Sequence, residues 1–542
     1  MLRALRPSLA LEALIAAFVM CCASFVLQGD VGFGWADEGL LWYASQRTHA
    51  GELAIRDFFA YDPGRYDWNS WIFSLLGDGG LRSLLIAAAA FGALGLATSW
   101  YAMGVARVAF GWRLVFGVLL AIGLGYPRHK VYEQTISLLL VCVAFLVLTS
   151  PRAGGRWFVF GVSAGLAAAF GRNHGVFFLA TALLLAIYLT VVVRARPSAS
   201  SMVLFPLGVV VGYLPVIVRL AVDTAFRNSF LASVQAVAQW QLPVPIPFVW
   251  RIDYTQGSPY DLAQATAIGV LCVLIPTAYL LVAAWMWRGR TRWDGLPPAA
   301  LLAFAAACAG LPYLQQAFDR ADFGHIAQAT LPVFVLLAAV NACRFEHRLG
   351  GFAVRAGVAG AVVVILLAWL PSQPGIRFMR MEALQPGSTQ PISISGSVFR
   401  VNSPQAEFLS TLDKLKRQCG LVDRQLLAMP HFPGVYAYLG LTAPFWEMYY
   451  LYARDSAFQK KHIEAIADVK VVVMAPEATF DNLERLKLRH TYGDLLDYVH
   501  SQYRKSAVLP YGAELHVRAC GDGDSGTAAQ GCCAIPPSVA AR

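Results

Sequence analysis

The sequence predicts a mainly α protein: a polytopic membrane helical bundle of about eleven transmembrane helices, N-in and C-out, with a small α/β periplasmic C-terminal domain. Three observations carry this. The 542 residues are 57% hydrophobic and only 14% charged, and the mean hydropathy is +0.53. A soluble globule of that size cannot enclose so much apolar surface. Every second loop between the apolar runs is basic. Beyond residue 375 the chain becomes polar and the long apolar runs stop.

The runs that approach the roughly 20 residues needed to span a bilayer are 9–28, 82–106, 114–126, 135–150, 157–171, 175–193, 202–220, 262–287, 297–315, 326–342 and 353–371. The third, fourth and fifth are short for full spans, which fits tilted helices or helices packed inside the bundle. The first run follows Arg3 and Arg6 and has the look of a signal peptide. Its length and the lack of a small-x-small cleavage site favour an uncleaved helix.

Arginine and lysine in short loops set orientation. With Arg3 and Arg6 in the cytoplasm, the same side receives Arg107, Arg113, Arg152, Arg156, Arg194 and Arg196. It also receives "RGRTR" at 288–292 and Arg344 with Arg348. The outer, periplasmic side of an inner membrane then holds a long first loop, 29–81, and a second near 221–261. It also holds the turns "YPRHKVYEQ", "GRNHG" and "QQAFDRADFGHI" and everything after about 375. The expected organisation is a transmembrane domain over 1–374 with its periplasmic loop 29–81, a periplasmic α/β domain over 375–520, and a flexible tail over 521–542. Within the α/β domain "SPQAEFLSTLDKLKRQ" reads as a helix and "VKVVVMAP" as a strand.

The formal charge of +10 reflects topology and gives no case for nucleic acid, since no binding module for it is readable. Cys21, Cys22, Cys142, Cys272 and Cys308 lie in apolar runs and suit packing. No CxxC or Cys/His metal spacing occurs. Cys419, Cys520, Cys532 and Cys533 follow the last span, where an oxidising compartment permits a disulfide, Cys419 with Cys520 being one pairing to consider.

On the outer face Arg128, His129, Lys130, Arg172, His174 and Arg320 run against the positive-inside tendency. Each could pair with an acid such as Glu133 or snorkel to headgroups. Three separate turns with the same bias point instead to a shared anionic ligand, for which a membrane-borne phosphate or diphosphate fits. In "QQAFDRADFGHI", Asp319, Asp322 and His325 recur every three residues, as on one flank of a helical turn. A helix cap would account for Asp322 alone.

The first loop opens with "GFGWADEGLLWYASQRTHAGEL", where Asp37 and Glu38 stand some nine residues past the first span. Leu40, Leu41 and Ala44 suit a helix lying along the membrane surface. "DFFAYDPGRYDW" adds Asp57, Asp62, Arg65 and Asp67 around a Pro63–Gly64 turn. Acids beside phosphate-binding cations suggest a general base for an attacking hydroxyl or ligands for a divalent cation. A loop charged only for solubility would not also hold Trp35, Trp42, Tyr43, Phe58, Phe59 and Tyr61.

The acidic pair, "GELAIRDFFAYDPGRYDW", "DRADFGH" and "PHFPGVYAYLGLTAPFWEMYY" at 430–450 resemble the GT-C superfamily of polyprenyl-phosphate-sugar-dependent glycosyltransferases. That superfamily includes protein O-mannosyltransferases, the lipid A aminoarabinose transferase and mycobacterial arabinofuranosyltransferases. The likeness extends to the topology of the whole chain. It implies a polyprenyl-phosphate sugar donor entering from the bilayer, a glycan, lipid or protein acceptor, and inversion at the anomeric carbon. On that likeness Asp37 is the base or acceptor-orienting carboxylate, with Glu38 assisting. Arg128, Lys130, Arg172 and Arg320 hold the donor phosphate. His129, His174, Asp319, Asp322, His325, Asp57 and Arg65 position sugar or acceptor. Metal dependence varies within the superfamily, so Mg or Mn on Asp37 and Glu38 stays open. No WWDYG segment is present, which argues against en bloc transfer to Asn.

A transporter or flippase of a lipid-linked glycan is the alternative, and it too would use outer-face cations. It would also place ionisable residues near the bilayer midplane, where these helices have almost none. A non-enzymatic envelope scaffold would leave the first loop without a role.

Overall fold

The computed structural model describes residues 7–239, 243–288, 296–343, 348–479 and 483–518. Arg3, Arg6, most of "RGRTR", Arg344 and the tail with Cys520, Cys532 and Cys533 lie outside the described residues. The chain opens with α1 (Pro7–Gln28), α2 (Asp37–His49), α3 (Gly64–Leu76), α4 (Leu81–Val105) and α5 (Phe110–Leu124). A short 3-10 turn, Arg128–Lys130, leads into α6 (Val131–Leu148), then α7 (Gly154–Phe170), α8 (Arg172–Val191), α9 (Ala199–Val222) and α10 (Thr224–Gln239). Next come α11 (Pro259–Arg288), α12 (Pro298–Asp319), α13 (Phe323–Ala342), α14 (Arg348–Trp369) and α15 (Pro374–Leu384). The last part holds β1 (Thr389–Ile394), β2 (Ser397–Asn402), α16 (Ser403–Gln418), β3 (Leu426–Met429), α17 (Pro433–Leu439) and α18 (Ser456–Ala465). It ends with β4 (Val471–Met474), α19 (Leu488–Thr491), α20 (Gly493–Gln502), β5 (Tyr503–Leu509) and β6 (Ala513–Arg518).

Each expected span has a helix at its place. Among the described residues nine are long and apolar enough to cross a bilayer, α6 being counted together with its leading turn. At 15 and 17 residues, α5 and α7 fall short of that length. The helices fall into two compact units. One comprises the described parts of Met1–Gly29, Leu85–Arg227 and Gln241–Arg377; the other those of Asp30–Leu84, Asn228–Trp240 and Phe378–Arg542. The first loop thus clusters with the C-terminal region.

In the helical unit α6, α12 and α13 are the most enclosed, and α1, α9 and α14 the least. The exposed side chains of α1 and α9 are themselves apolar, including Phe18, Val26, Met202 and Val210, as a lipid-facing surface requires. The packing of α7 on α9 rests on small residues at four-residue spacing. Gly161 and Gly165 lie on the backbone of Phe205 and Val209, while Gly208 and Gly212 lie on that of Phe158 and Val162. A methyl at any of the four would run into a facing carbonyl. Backbone approach of this kind holds helices together where lipid removes the hydrophobic drive.

In the second unit a four-stranded sheet has the order β3-β4-β6-β5, parallel between β3 and β4 and antiparallel elsewhere. Val472 and Met474 of β4 pack with Ile466, Leu488, Leu495 and Val499 in its core. α2 belongs to this interior. Residues 38–45 are all buried, so the helix is not the membrane-surface element that Leu40, Leu41 and Ala44 suggest. Its aromatic rings find polar partners within the unit. Trp42 Nε1 donates to the Gly79 carbonyl at 2.9 Å, and the Tyr43 hydroxyl accepts from Ala443 N–H at 3.0 Å.

Two glycines permit that burial. A Cβ on Gly39 would stand 2.6 Å from Gly434 Cα, and Gly434 N–H donates to the Trp35 carbonyl at 3.0 Å. Because both obstructions are backbone, Gly39→Ala should lower stability by about 1–3 kcal/mol. The check is the apparent Tm of the purified protein, with Gly155→Ala as a neutral comparison, since a methyl there meets nothing within 4 Å.

Candidate functional site

Two polar clusters stand out, one in each unit. In the sheet-containing unit α2 begins at Asp37, and the two acids occupy its first turn, where a helix favours negative charge. Their carboxylates are used differently. The buried Glu38 turns back so that Oε2 accepts from Gly34 N–H at 2.8 Å, closing the loop that leads into the helix. The half-buried Asp37 accepts at Oδ1 from the Tyr449 hydroxyl at 2.9 Å. Tyr449 is fully buried, and the His431 ring meets it edge-on with centroids 5.7 Å apart. Burial pushes the His431 imidazole down to about 4, against the opposing pull of the Asp37 carboxylate and a hydrogen bond to the Tyr450 backbone. The result is a carboxylate fixed by a phenol, beside an imidazole that is neutral at physiological pH.

The 430–450 segment that supplies Tyr449 and His431 is itself locked down. Glu447, with no exposure, takes a two-point grip from Arg454 at 2.9 and 2.7 Å and a hydrogen bond from the Tyr492 hydroxyl. Bidentate pairing of this kind fixes direction as well as distance. Trp446 Nε1 donates to the Ile55 carbonyl at 3.0 Å, and Phe59 N–H to the Trp446 carbonyl at 2.8 Å. Other first-loop residues have local partners. Asp57 pairs with Arg56 at 2.7 Å and accepts from Leu53 N–H at 2.8 Å. The buried Arg65 lies over the Tyr61 ring at 5.3 Å.

In the helical unit the 128–130 turn adjoins the 320–325 turn. A Cβ on Gly324 would come 3.5 Å from Pro127 Cγ and 3.9 Å from Lys130 Cγ. Asp319, Asp322 and His325 do not share one helical flank, contrary to their spacing. α12 ends at Asp319, Arg320 is extended with φ −135°, and Asp322 caps α13 by accepting from His325 N–H at 3.1 Å. Backbone hydrogen bonds between Val244 and the 319–321 stretch hold this break open. Asp322 Oδ2 forms an ion pair with Arg320, 2.8 Å from its Nε, and lies 2.7 Å from His325 Nδ1. Burial alone would raise the Asp322 carboxyl. The His325 hydrogen bond and the charges of His325, Arg320 and Lys130 outweigh it and hold the group well below the usual range. Lys130 Nζ also lies 3.9 Å from Glu133. His129 is half-buried in the same turn. Arg172 opens α8, while His174 goes inward, 1% exposed, stacked on Tyr313 with Nδ1 at 2.9 Å from its hydroxyl.

Arg128 lines an open cleft between α1, α4 and α5. Its lining is chiefly apolar, with Phe25, Leu85, Ala88, Ala89 and Leu124. Polar groups gather at one end, where Arg128 donates to the Gln28 carbonyl at 3.3 Å and Gln28 Nε2 to Ser24 at 3.0 Å. Among the described residues the group of three His, Cys, Asp or Glu side chains placed for a metal is His500, Glu514 and His516, and Asp37 and Glu38 are not in it.

The chain shares its fold with a solved structure along nearly its whole length. The chain is similar to ArnT from Cupriavidus metallidurans in the apo state, at a TM-score of 0.52 and 15% identity over 94% of this chain and 97% of that one. The Archaeoglobus fulgidus oligosaccharyltransferase in its apo form gives a TM-score of 0.48 at 12% identity, over 95% of this chain and 75% of that one. No protein-family model and no curated protein matches the sequence.

Tyr449, His431 and the cleft residues Ser24 and Gln28 did not figure as site residues in the sequence. The first two lie in a segment already conspicuous for its aromatics, but nothing local ties them to Asp37, 412 positions from Tyr449. The buried imidazoles carry a pH consequence. His462, stacked on Phe445 with centroids at 4.1 Å, is pushed by burial to about 3, as His431 is to about 4. Both have an ordinary value of 6.5 when unfolded, so the unfolded chain binds more protons between these limits and stability falls as pH drops below 6.5. The loss at about pH 4 should be on the order of 3 kcal/mol for His431. The apparent Tm across about pH 7 to pH 4 checks this, and His462→Phe should flatten the slope.

Proposed function

We propose that this chain is a multi-pass inner-membrane glycosyltransferase. It moves a sugar from a polyprenyl-phosphate donor to an acceptor hydroxyl on the periplasmic face, with inversion at the anomeric carbon. The observation that carries the proposal is the apolar cleft with Arg128 at its polar end, in a turn that adjoins Arg320 and Asp322. An anionic lipid has these two needs: a greasy slot for the chain and a cationic rim for the phosphate.

Arg128, Lys130 and Arg320 bind the donor phosphate in this scheme, and Arg172 at the start of α8 is a further candidate. Asp322 fixes Arg320 and His325 in place. Asp37 takes the proton of the acceptor hydroxyl as its oxygen bonds to the anomeric carbon. The bond from that carbon to the phosphate oxygen breaks, and polyprenyl phosphate departs with the electron pair. Tyr449 positions Asp37, and Glu38 holds the turn from which Asp37 projects. His129, Asp319, Asp57 and Arg65 are assigned to sugar or acceptor positioning only by the family resemblance. His174 is engaged with Tyr313 in the interior. Mg or Mn on Asp37 and Glu38 would assist deprotonation if bound, and the acid pair alone supplies a base without it.

Purified protein with a polyprenyl-phosphate sugar and candidate acceptors tests the scheme. Asp37→Asn should reduce turnover at least about 100-fold and Tyr449→Phe about 10-fold, both with the protein still folded. Lys130→Ala should raise the donor KM more than it lowers kcat. Ala89→Trp, which fills the cleft, should raise KM for a long-chain donor and spare a short-chain one. Wild-type turnover in Asp37→Asn would remove it from the chemistry.

A further inference from the structure

One cluster in the C-terminal unit takes no part in this chemistry. Glu514 and His516 are two apart on β6, so both project from the same face of the sheet. β5 lies alongside, with Lys505 paired directly to His516. The last turn of α20 adds His500, whose ring centroid is 5.9 Å from that of His516. Ligand atoms of His500, Glu514 and His516 all lie within 4.8 Å of one another.

The cluster also has the environment of a ligand site. His516 is 3% exposed, its Nε2 is 3.0 Å from Glu514 Oε2, and its Nδ1 has no hydrogen-bond partner among the described residues. An ordinary surface ion pair would account for Lys505 Nζ on Glu514 Oε1 at 2.5 Å. It does not account for a second imidazole brought against a buried one. Two imidazoles and one carboxylate are, by contrast, a complementary donor set for a borderline-soft divalent cation.

We propose that His500, Glu514 and His516 form a three-ligand site for a Zn(II)-class ion, with a water completing a tetrahedron. Mg and Mn, which prefer oxygen donors, suit it poorly. The ion would cross-link α20 to β6, elements joined otherwise through the β5 strand. Lys505 shares Glu514 and so competes with the ion, which makes the site weaker than one with a free carboxylate.

Full-length protein in detergent, stripped with a chelator, is titrated with ZnCl2 against a chromophoric competitor, and separately with Co(II). The wild type should bind one equivalent through this site and give the visible absorption of tetrahedral Co(II). His500 is exposed, so His500→Ala should fold, yet it should weaken that equivalent by at least about 10- to 100-fold and abolish the Co(II) spectrum. Lys505→Ala should tighten binding, which loss of a merely structural ion pair would not do. Zinc should raise the apparent Tm of the wild type and not of His500→Ala. An isotherm unchanged by His500→Ala, or no zinc bound by the wild type, overturns the proposal.

Discussion

A carboxylate withdrawn from water has to be given hydrogen-bond donors or a cation, and this chain meets that requirement repeatedly with partners distant in sequence or folded back across a turn. Glu38 takes the Gly34 amide, Asp37 the Tyr449 hydroxyl, Asp322 the side chains of Arg320 and His325, and Glu447 the fork of Arg454. The remaining architecture of each unit serves these pairings. The Gly39–Gly434 approach brings α2 against α17, in the segment that carries His431 and Tyr449. The break between α12 and α13 frees Asp322 to cap one helix while holding the arginine that leaves the other. Where an acid is so constrained, its direction is fixed, and a fixed direction is what general-base chemistry and anion binding both need.

What the sequence reveals follows from what is local. Hydropathy over about 20 residues is a local property, so each apolar helix was legible, and nine of those described are long enough to cross a bilayer. "SPQAEFLSTLDKLKRQ" supplies its own apolar stripe, and α16 runs over those residues from Ser403 to Gln418, with Asn402 before them as its cap. "VKVVVMAP" holds β4. The failures are non-local. Apolar residues at 40, 41 and 44 show that α2 has a face to bury but not what covers it. The helix α17, some 400 residues away, packs on α2, with Gly434 against Gly39 and Ala443 bonded to Tyr43. Asp319, Asp322 and His325 share a period of three, yet a helix break falls between them because Asp322 competes for the role of cap. Small-residue packing of α7 on α9 shows only once the two helices are aligned.

The same distinction divides the candidate site. Clustering of cations at outer-face turns could be argued from topology alone, and two of the three turns, 128–130 and 320–325, adjoin in the structure. The third does not join them on the same terms: His174 is drawn into the helical interior by Tyr313. Burying an imidazole against a tyrosine is a packing solution, and the sequence pattern "GRNHG" cannot separate it from a ligand-binding one. Asp37 was legible as an acid in an improbable place. Its phenol partner was not, because a hydrogen bond across 412 residues leaves no periodic trace.

Charge balance in the helical unit bears on how the proposed reaction would be driven. Arg128, Lys130 and Arg320 bring three cations to these adjoining turns, where Lys130 lies 3.9 Å from Glu133 and Arg320 pairs with Asp322. A sugar-linked polyprenyl phosphate is a diester and carries about one negative charge, whereas the departing monoester carries about 1.5 to 2. A cationic cluster therefore attracts the leaving group more strongly as the glycosidic bond breaks. Interactions that grow along the reaction coordinate lower the barrier, while those equal in both states only lower KM. Asp322 would then matter beyond geometry. By neutralising part of Arg320 it keeps the cluster from holding the donor too tightly, so that more of the electrostatic gain is realised in the transition state. Removing it should tighten donor binding and slow turnover, the reverse of the KM effect expected when Lys130 is removed.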